Sequence, residues 1–228
     1  MLLGARQFFE RRGGGWQNPY VTDGLVAMWD GEWNAGGGKH SLNATTWANI
    51  IDDSDIMTPV GTSFSWGDKS CSITNCLFKN TNKPYIATIS SSRVLTMEVV
   101  LNRTGGSVSF SQMLSMAVGA WLKFEGAGYG MGNIFYPKSL DYVNGTTSLL
   151  SISVTMDTIL GYKDAVLKST VSNASRFSQY LESMSIGGDS QTTSFVGQIF
   201  CCRLYSRALT AAEIAANYAI DKARFNLP

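Results

Sequence analysis

Charge is scarce in this sequence. Lys, Arg, Asp and Glu make up 15% of the chain, against about 25% in an ordinary soluble domain, and they nearly cancel, to +1. A chain this neutral has no general electrostatic attraction for DNA, RNA or anionic lipid. Histidine occurs once, as His40, and there is no Gly-x-Ser-x-Gly elbow, so a familiar hydrolase triad is excluded. The four cysteines (Cys71, Cys76, Cys201, Cys202) form no Cys-x-x-Cys pair and have no neighbouring histidine, which excludes a structural zinc site. Long hydrophobic runs are missing too. The longest uncharged stretch, Thr104 to Leu122, spans 19 residues, but its first half is rich in Gly, Ser and Thr. The remainder, about ten residues, is too short to cross a bilayer. The first twelve residues contain no uninterrupted apolar core and no small-residue cleavage site, so no secretory signal is expected.

What is present is glycine, hydroxyl residues and aromatics: 23 Gly, 6 Trp, 9 Tyr and 11 Phe in 228 residues. That length suffices for a substantial core, and the composition is that of an all-β sandwich. Two parts are expected. Residues 1–20 read as a short amphipathic helical peptide, with Leu2, Leu3, Phe8 and Phe9 apolar, followed by the Gly13-Gly14-Gly15 hinge. Residues 21–228 form the body. Neighbouring residues on a strand face opposite ways, so Cys201 and Cys202 are not expected to pair. Buried thiols are the expectation for all four cysteines, with Cys71 and Cys76 able to pair in an exported chain.

Strand signals run from residue 21 to 207. Leu95, Met97, Val99 and Leu101 alternate with Thr96, Glu98 and Val100. Leu150, Ile152, Val154 and Met156 alternate with Ser151, Ser153 and Thr155. This period of two marks strands with one apolar face. Asn144-Gly145 before the second run is a pair favoured in a type I′ hairpin turn. One helix is expected over 208–220, opened by the capping box Thr210-Ala211-Ala212-Glu213. The tail from Asp221 to Pro228 is then free to wrap the body.

Ser185-Ile186-Gly187-Gly188-Asp189, Phe195-Val196-Gly197-Gln198-Ile199 and Arg203-Leu204-Tyr205-Ser206-Arg207-Ala208-Leu209-Thr210, with Asn217-Tyr218 beyond, form a consistent C-terminal pattern. It resembles the end of laminin-G-like, concanavalin-A-like domains of the lectin and glucanase type. Gly24-Leu25-Val26-Ala27-Met28-Trp29-Asp30 and Thr46-Trp47 resemble their opening. The resemblance implies an antiparallel two-sheet jelly-roll sandwich with a short C-terminal helix. It does not imply one function, because the fold hosts lectins, glucanases, adhesion modules and structural domains. The first residues, Leu2-Leu3-Gly4-Ala5-Arg6 and the Gly-rich hinge, resemble openings of structural proteins from phages and prophages of gut bacteria.

Glucanases of this fold carry a Glu-x-Asp-x-(x)-Glu strand that sets two carboxylates on one face. The six glutamates here (Glu10, Glu32, Glu98, Glu125, Glu182, Glu213) never take that spacing, so no catalytic centre is expected. Gly36-Gly37-Gly38-Lys39-His40 faintly resembles a phosphate-binding loop, but His40 stands where Ser or Thr is needed and no helix follows. Asp52, Asp53 and Asp55 are the best candidate ligands for a hard ion such as Ca²⁺, the alternative being a solvated turn.

Binding is the more promising chemistry. Trp33, Trp47, Trp66, Tyr129 and Tyr136, with Asn133, lie in Gly-, Asn- and Ser-rich segments where a ring can stack on the apolar face of a sugar. Trp29 and Trp121, inside strand runs, are expected in the core. The expected role is a non-catalytic virion module, from a phage or prophage, that displays its sandwich for glycan or host-surface adhesion. Residues 1–12 would join it to other virion or surface-assembly proteins, either as a homo-oligomer or within a larger assembly. It would be made in the bacterial cytoplasm without a secretory signal. The alternatives are a purely architectural capsid- or tail-decorating protein, a carbohydrate-binding module of the bacterial cell surface, and an atypical hydrolase with carboxylates drawn from separate loops.

Overall fold

The computed structural model describes residues 18–228, except 62, 75, 82–83, 107–110, 117–119, 125–127, 132–133, 137–142, 173–182 and 189–194. Between 106 and 142 the strands are placed by backbone and register. Leu2, Leu3, Phe8 and Phe9, and so the expected N-terminal helix, lie outside the described residues.

The chain folds as an all-β sandwich of two antiparallel sheets. The first has the order β14 (Val166–Ser172), β13 (Thr158–Lys163), β12 (Thr147–Val154), β7 (Leu95–Gly106), β16 (Phe195–Tyr205), β5 (Cys71–Ile73) and β4 (Phe64–Trp66). Strand β1 (Leu25–Asp30) pairs with residues 201–205 of β16, beyond the stretch taken by β5. The second sheet has the order β11 (Ile134–Tyr136), β10 (Gly128–Met131), β9 (Ala120–Phe124), β8 (Ser111–Met116), β15 (Ser183–Ile186), β6 (Leu77–Thr81), β3 (Ile56–Val60) and β2 (Trp47–Ala48).

Alternation decides what each face buries. Leu95, Met97, Val99 and Leu101 of β7 point between the sheets, together with Leu150, Ile152 and Val154 of β12 and Phe78, Met184 and Ile186 of the second sheet. Fully burying a side chain of this size stabilises by about 1.5–3 kcal/mol. On the opposite side of the first sheet, residues near its middle are buried as well. They lie under helix α2 (Ala211–Phe225), where Val100, Leu149 and Cys201 pack with Phe225 and Leu227. Cys201 thus faces the helix while Cys202 faces the inter-sheet core, and all four cysteines are buried free thiols.

Helix α2 starts as expected. The Thr210 hydroxyl accepts from the Glu213 amide, and the Glu213 carboxylate accepts from the Thr210 amide. It ends later than expected, at Asn226 in the left-handed conformation, a common stop signal. Asp221 and Arg224 are therefore buried helical residues and not part of a free tail.

Three other expectations are corrected. Residues Pro84–Ser92 form a short helix, α1, in a stretch read as strand. Its Thr and Ser residues are weak helix formers, but Pro84 suits the first helical position, and Ile86 and Ile89 are buried one turn apart. At Asn144-Gly145 only Gly145 takes a positive φ, +82°, with Thr146 N bonded to Val143 O. That is a type II turn, since type I′ requires positive φ at both positions. Met156 lies past the end of β12 and is exposed.

Candidate binding surface

The Arg-x-Tyr-x-Arg pattern builds a buried ionic cluster between β16 and α2. Arg203 donates from Nε to Glu98 Oε2 at 2.7 Å and from its two terminal nitrogens to both oxygens of Asp221. Arg224 grips Asp30 in the same forked way, at 2.7 and 3.0 Å. The Tyr20 hydroxyl links the two pairs, donating to Asp221 and accepting from Arg224, and its ring lies 4.2 Å under the Arg203 guanidinium. Asn217 donates to Glu98 and to the Tyr205 hydroxyl and accepts from the Val21 amide. Burial raises the Glu98 carboxyl above the ordinary carboxylate range, with Arg203 opposing the rise. The cluster is enclosed and each carboxylate is engaged, so its role is to hold α2 and Tyr20 on the sheet. Packed structure thus reaches back to Asn18.

The aromatics singled out in the sequence do not come together. Trp47 is fully buried between the sheets and donates from its ring nitrogen to Asp30 O. Trp66 is buried beside it, ring centroids 5.1 Å apart, and donates to Ala44 O. Both expectations of a ligand platform are corrected: these rings fill the core. Trp33 is partly buried, with the Arg224 guanidinium 4.5 Å from its centroid. Tyr129 and Tyr136 are paired across β10 and β11, and their register runs through Leu122, Leu114 and Ile186 to Phe78. Their side chains lie outside the described ones. Asn133 lies outside the described residues.

The three aspartates also diverge. Asp52 accepts from the amide and hydroxyl of Ser54. Asp53 accepts the Gly37 amide on both oxygens at 2.9 Å. Gly36, Gly37 and Gly38 have φ of +77°, +57° and +68°, so this loop curls round the chain's own carboxylate where an anion would sit. Asp55 is buried and accepts from Asn49, Asn80 and the Tyr85 hydroxyl. The three candidate calcium ligands are thus not brought together: among the described residues no three His, Cys, Asp or Glu side chains are grouped to hold a metal.

A different surface emerges from the second sheet. One face of the first sheet is covered by α2; the second sheet's outer face is the alternate set of positions to its core row. Directly paired residues share a face. The register therefore connects Thr58, Lys79, Ser185, Ser115, Trp121, Gly130 and Phe135 in one outer row. Trp121, expected in the core, pairs through its backbone with Ser115 and Gly130, and its side chain lies outside the described ones.

Side chains at the β3 end of this face are reachable. Thr58 is exposed, Ile56 and Val60 are exposed apolar residues, and Lys79 is half-buried. At its centre Ser183 and Ser185 are each 4% exposed. Ser-Met-Ser-Ile in β15 was the available sequence signal: two apolar residues face the core and the serines between them must face away.

No protein-family model and no curated protein sequence matches the chain. Solved structures share its fold. Domain 4 of AbnA, a GH43 extracellular arabinanase from Geobacillus stearothermophilus, in complex with arabinotriose, matches with TM-score 0.65 and 15% identity over 85% of this chain and 98% of that one. Trypanosoma rangeli sialidase in complex with the inhibitor DANA matches with TM-score 0.64 and 13% identity, over 90% of this chain and 34% of that one. The botulinum neurotoxin serotype D ligand binding domain with N-acetylneuraminic acid gives 0.55 and 10%, over 86% of this chain and 51% of that one. The chain thus spans nearly the whole arabinanase domain but about a third of the sialidase. The likeness shows a shared β-sandwich. Among the described residues, no helix is long and apolar enough to cross a membrane.

Proposed function

We propose that this protein is a non-catalytic carbohydrate-binding sandwich whose ligand lies across the outer face of the second sheet. The observation that carries the reading is the polar set the register places on that face: Ser183 and Ser185 on β15, the half-buried Lys79 on β6 and the exposed Thr58 on β3. Hydroxyls and an ammonium group set in one row are groups that can bond the hydroxyls of a saccharide. The fold shared with a domain held with arabinotriose favours the same ligand class. The non-catalytic part is supported by the commitment of Glu98, Asp221 and Asp30 to Arg203 and Arg224. Binding of the full chain to an oligosaccharide array tests the reading. The parent should bind and Ser185→Tyr, which puts a large ring into this row, should not, with an unchanged fold by circular dichroism. Equal binding by both would overturn the site.

The wider role is a virion or surface-assembly module. Residues 1–12 join it to the particle and the sandwich is displayed for adhesion. This part is supported by the resemblance of the first residues to phage structural proteins and by the amphipathic pattern of Leu2, Leu3, Phe8 and Phe9. An architectural decorating role is the alternative, and it predicts no glycan binding at any face.

A further inference from the structure

Three buried carboxylates share two buried guanidiniums beneath α2. Glu98 on β7, Asp30 on β1 and Asp221 on α2 are fully buried, and so nearly are Arg203 on β16 and Arg224 on α2. With every group charged, this set carries one negative charge in excess. Glu32, which reaches Arg224 from the rim at 3.1 Å, adds to the negative side. The remaining polar groups of the cluster are Ser151 on β12, Tyr205 and Cys201 on β16, Asn217 on α2, and Tyr20. They bring no cation, and burial pushes Tyr20, Tyr205 and Cys201 up, away from ionisation. An unmatched buried charge is costly, and a carboxyl in that position takes up a proton instead.

The hydrogen bonds distinguish the three carboxyl groups. Asp221 has an Arg203 nitrogen on each oxygen and the Tyr20 hydroxyl besides. Asp30 takes Arg224 on both oxygens, at 2.7 and 3.0 Å. Glu98 is held by cation and amide on one oxygen alone: its Oε2 accepts from Arg203 Nε at 2.7 Å and from Asn217 at 2.8 Å. Its Oε1 faces the Ser151 hydroxyl at 3.4 Å, long for a bond between a hydroxyl and a carboxylate. A proton on Oε1 displaces no bond from a cation. The new O–H has Ser151 Oγ as its acceptor, because a hydroxyl can turn from donor to acceptor. Protonating Asp30 or Asp221 would instead give up one arm of a forked, charge-assisted pair.

We propose that Glu98 holds a proton in the folded protein, and that the cluster is a pH-sensitive lock on α2 and Tyr20, balanced with the proton in place and one negative charge in excess without it. Burial is the main cause that favours the proton; Arg203 opposes it and Asp221 adds to it. A carboxyl raised in the folded state contributes stability that is fully present below its unfolded value, about 4.3. That stability is lost as pH rises through the folded value. Rising pH therefore loosens the seat of the helix and of the chain that enters at Tyr20. The lock lies on the first sheet and does not depend on the saccharide reading.

The test follows the side-chain carboxyl ¹³C signal of Glu98 in the uniformly labelled full chain as pH is raised, assigned through its own backbone. At about pH 5, above the ordinary glutamate value, Glu98 should still be protonated while exposed glutamates are ionised. Its midpoint should fall at a ten-fold or more lower proton concentration than theirs. Urea unfolding gives a second readout. Glu98→Gln, the neutral mimic, should match the parent near this pH and become progressively more stable than it as pH rises through the Glu98 midpoint. Ionisation of Glu98 together with the exposed glutamates would overturn the proposal, as would a gap between parent and variant that is the same at every pH. Should Glu98→Gln fail to fold, the carboxyl titration of the parent decides alone.

Discussion

Arg203 on the last strand and Asp221 on the C-terminal helix meet through two parallel hydrogen bonds in a fully buried setting. The pair closes a circuit in which Glu98 holds the same guanidinium from the side and Tyr20 stacks on it. Removing one member of a buried ion group leaves the others charged and unmatched, at about 3–5 kcal/mol. Arg203→Met should therefore destabilise by that amount in urea unfolding. Replacing Arg203, Glu98 and Asp221 together with apolar residues should recover most of the loss. If Arg203→Met alone unfolds at the parent's midpoint, the cluster does not hold the helix.

The capping box gives a pH prediction. Bonds from Arg207 first, and then from the Thr210 amide, hold the Glu213 carboxyl down at about 2. A carboxyl depressed in the folded state contributes stability above its unfolded value, about 4.3, and loses it as pH falls through the folded value. Between pH 4.5 and 2 the parent should lose stability that Glu213→Gln has already lost, so the difference between them should shrink across this window. Thr210→Ala should cost about 0.5–2 kcal/mol at neutral pH. A pH-independent gap between parent and Glu213→Gln would contradict the assignment.

Gly197 marks the tightest backbone approach in the first sheet. Its φ is +152°, and a Cβ there would stand 2.2 Å from Asn102 O and 2.9 Å from Arg103 Cα. Backbone atoms cannot step aside as a flexible side chain can. Gly197→Ala should cost at least the ~1–3 kcal/mol of ordinary overpacking, read as a lowered melting temperature. An unchanged melting temperature would mean that β7 and β16 do not pack as described.

Deleting residues 1–12 tests the assembly role. The body is sealed at Tyr20 and Val21 by bonds to Asp221 and Asn217, so the shortened chain should keep the parent's melting temperature. Light scattering should show it failing to join assemblies that the full chain forms. Loss of the fold on deletion would place the peptide within the core instead.

The sequence reveals the fold better than the site, and particular residues explain why. Leu95 to Leu101 and Leu150 to Val154 alternate visibly, and Thr210 to Glu213 spells its own cap, because these signals are local. Trp47 and Trp66 looked like ligand platforms because glycine and asparagine surround them, yet three-dimensional packing closes over both. Asp221 and Arg224 looked like tail residues because their partners, Arg203 and Asp30, lie far away along the chain. The outer row through Thr58, Lys79 and Ser185 depends on the order of β3, β6 and β15 in the second sheet. No local pattern in the sequence encodes that order.

The central claim is that the outer face of the second sheet binds saccharide. Amide chemical-shift mapping of the ¹⁵N-labelled full chain during titration with 3′-sialyllactose and arabinotriose tests it most directly. The account predicts that shifts concentrate at Thr58, Lys79, Ser183 and Ser185, with Tyr20, Asn217 and the rest of α2 unmoved. Shifts confined to the loop around Trp33, or an unchanged spectrum with every saccharide, would contradict it.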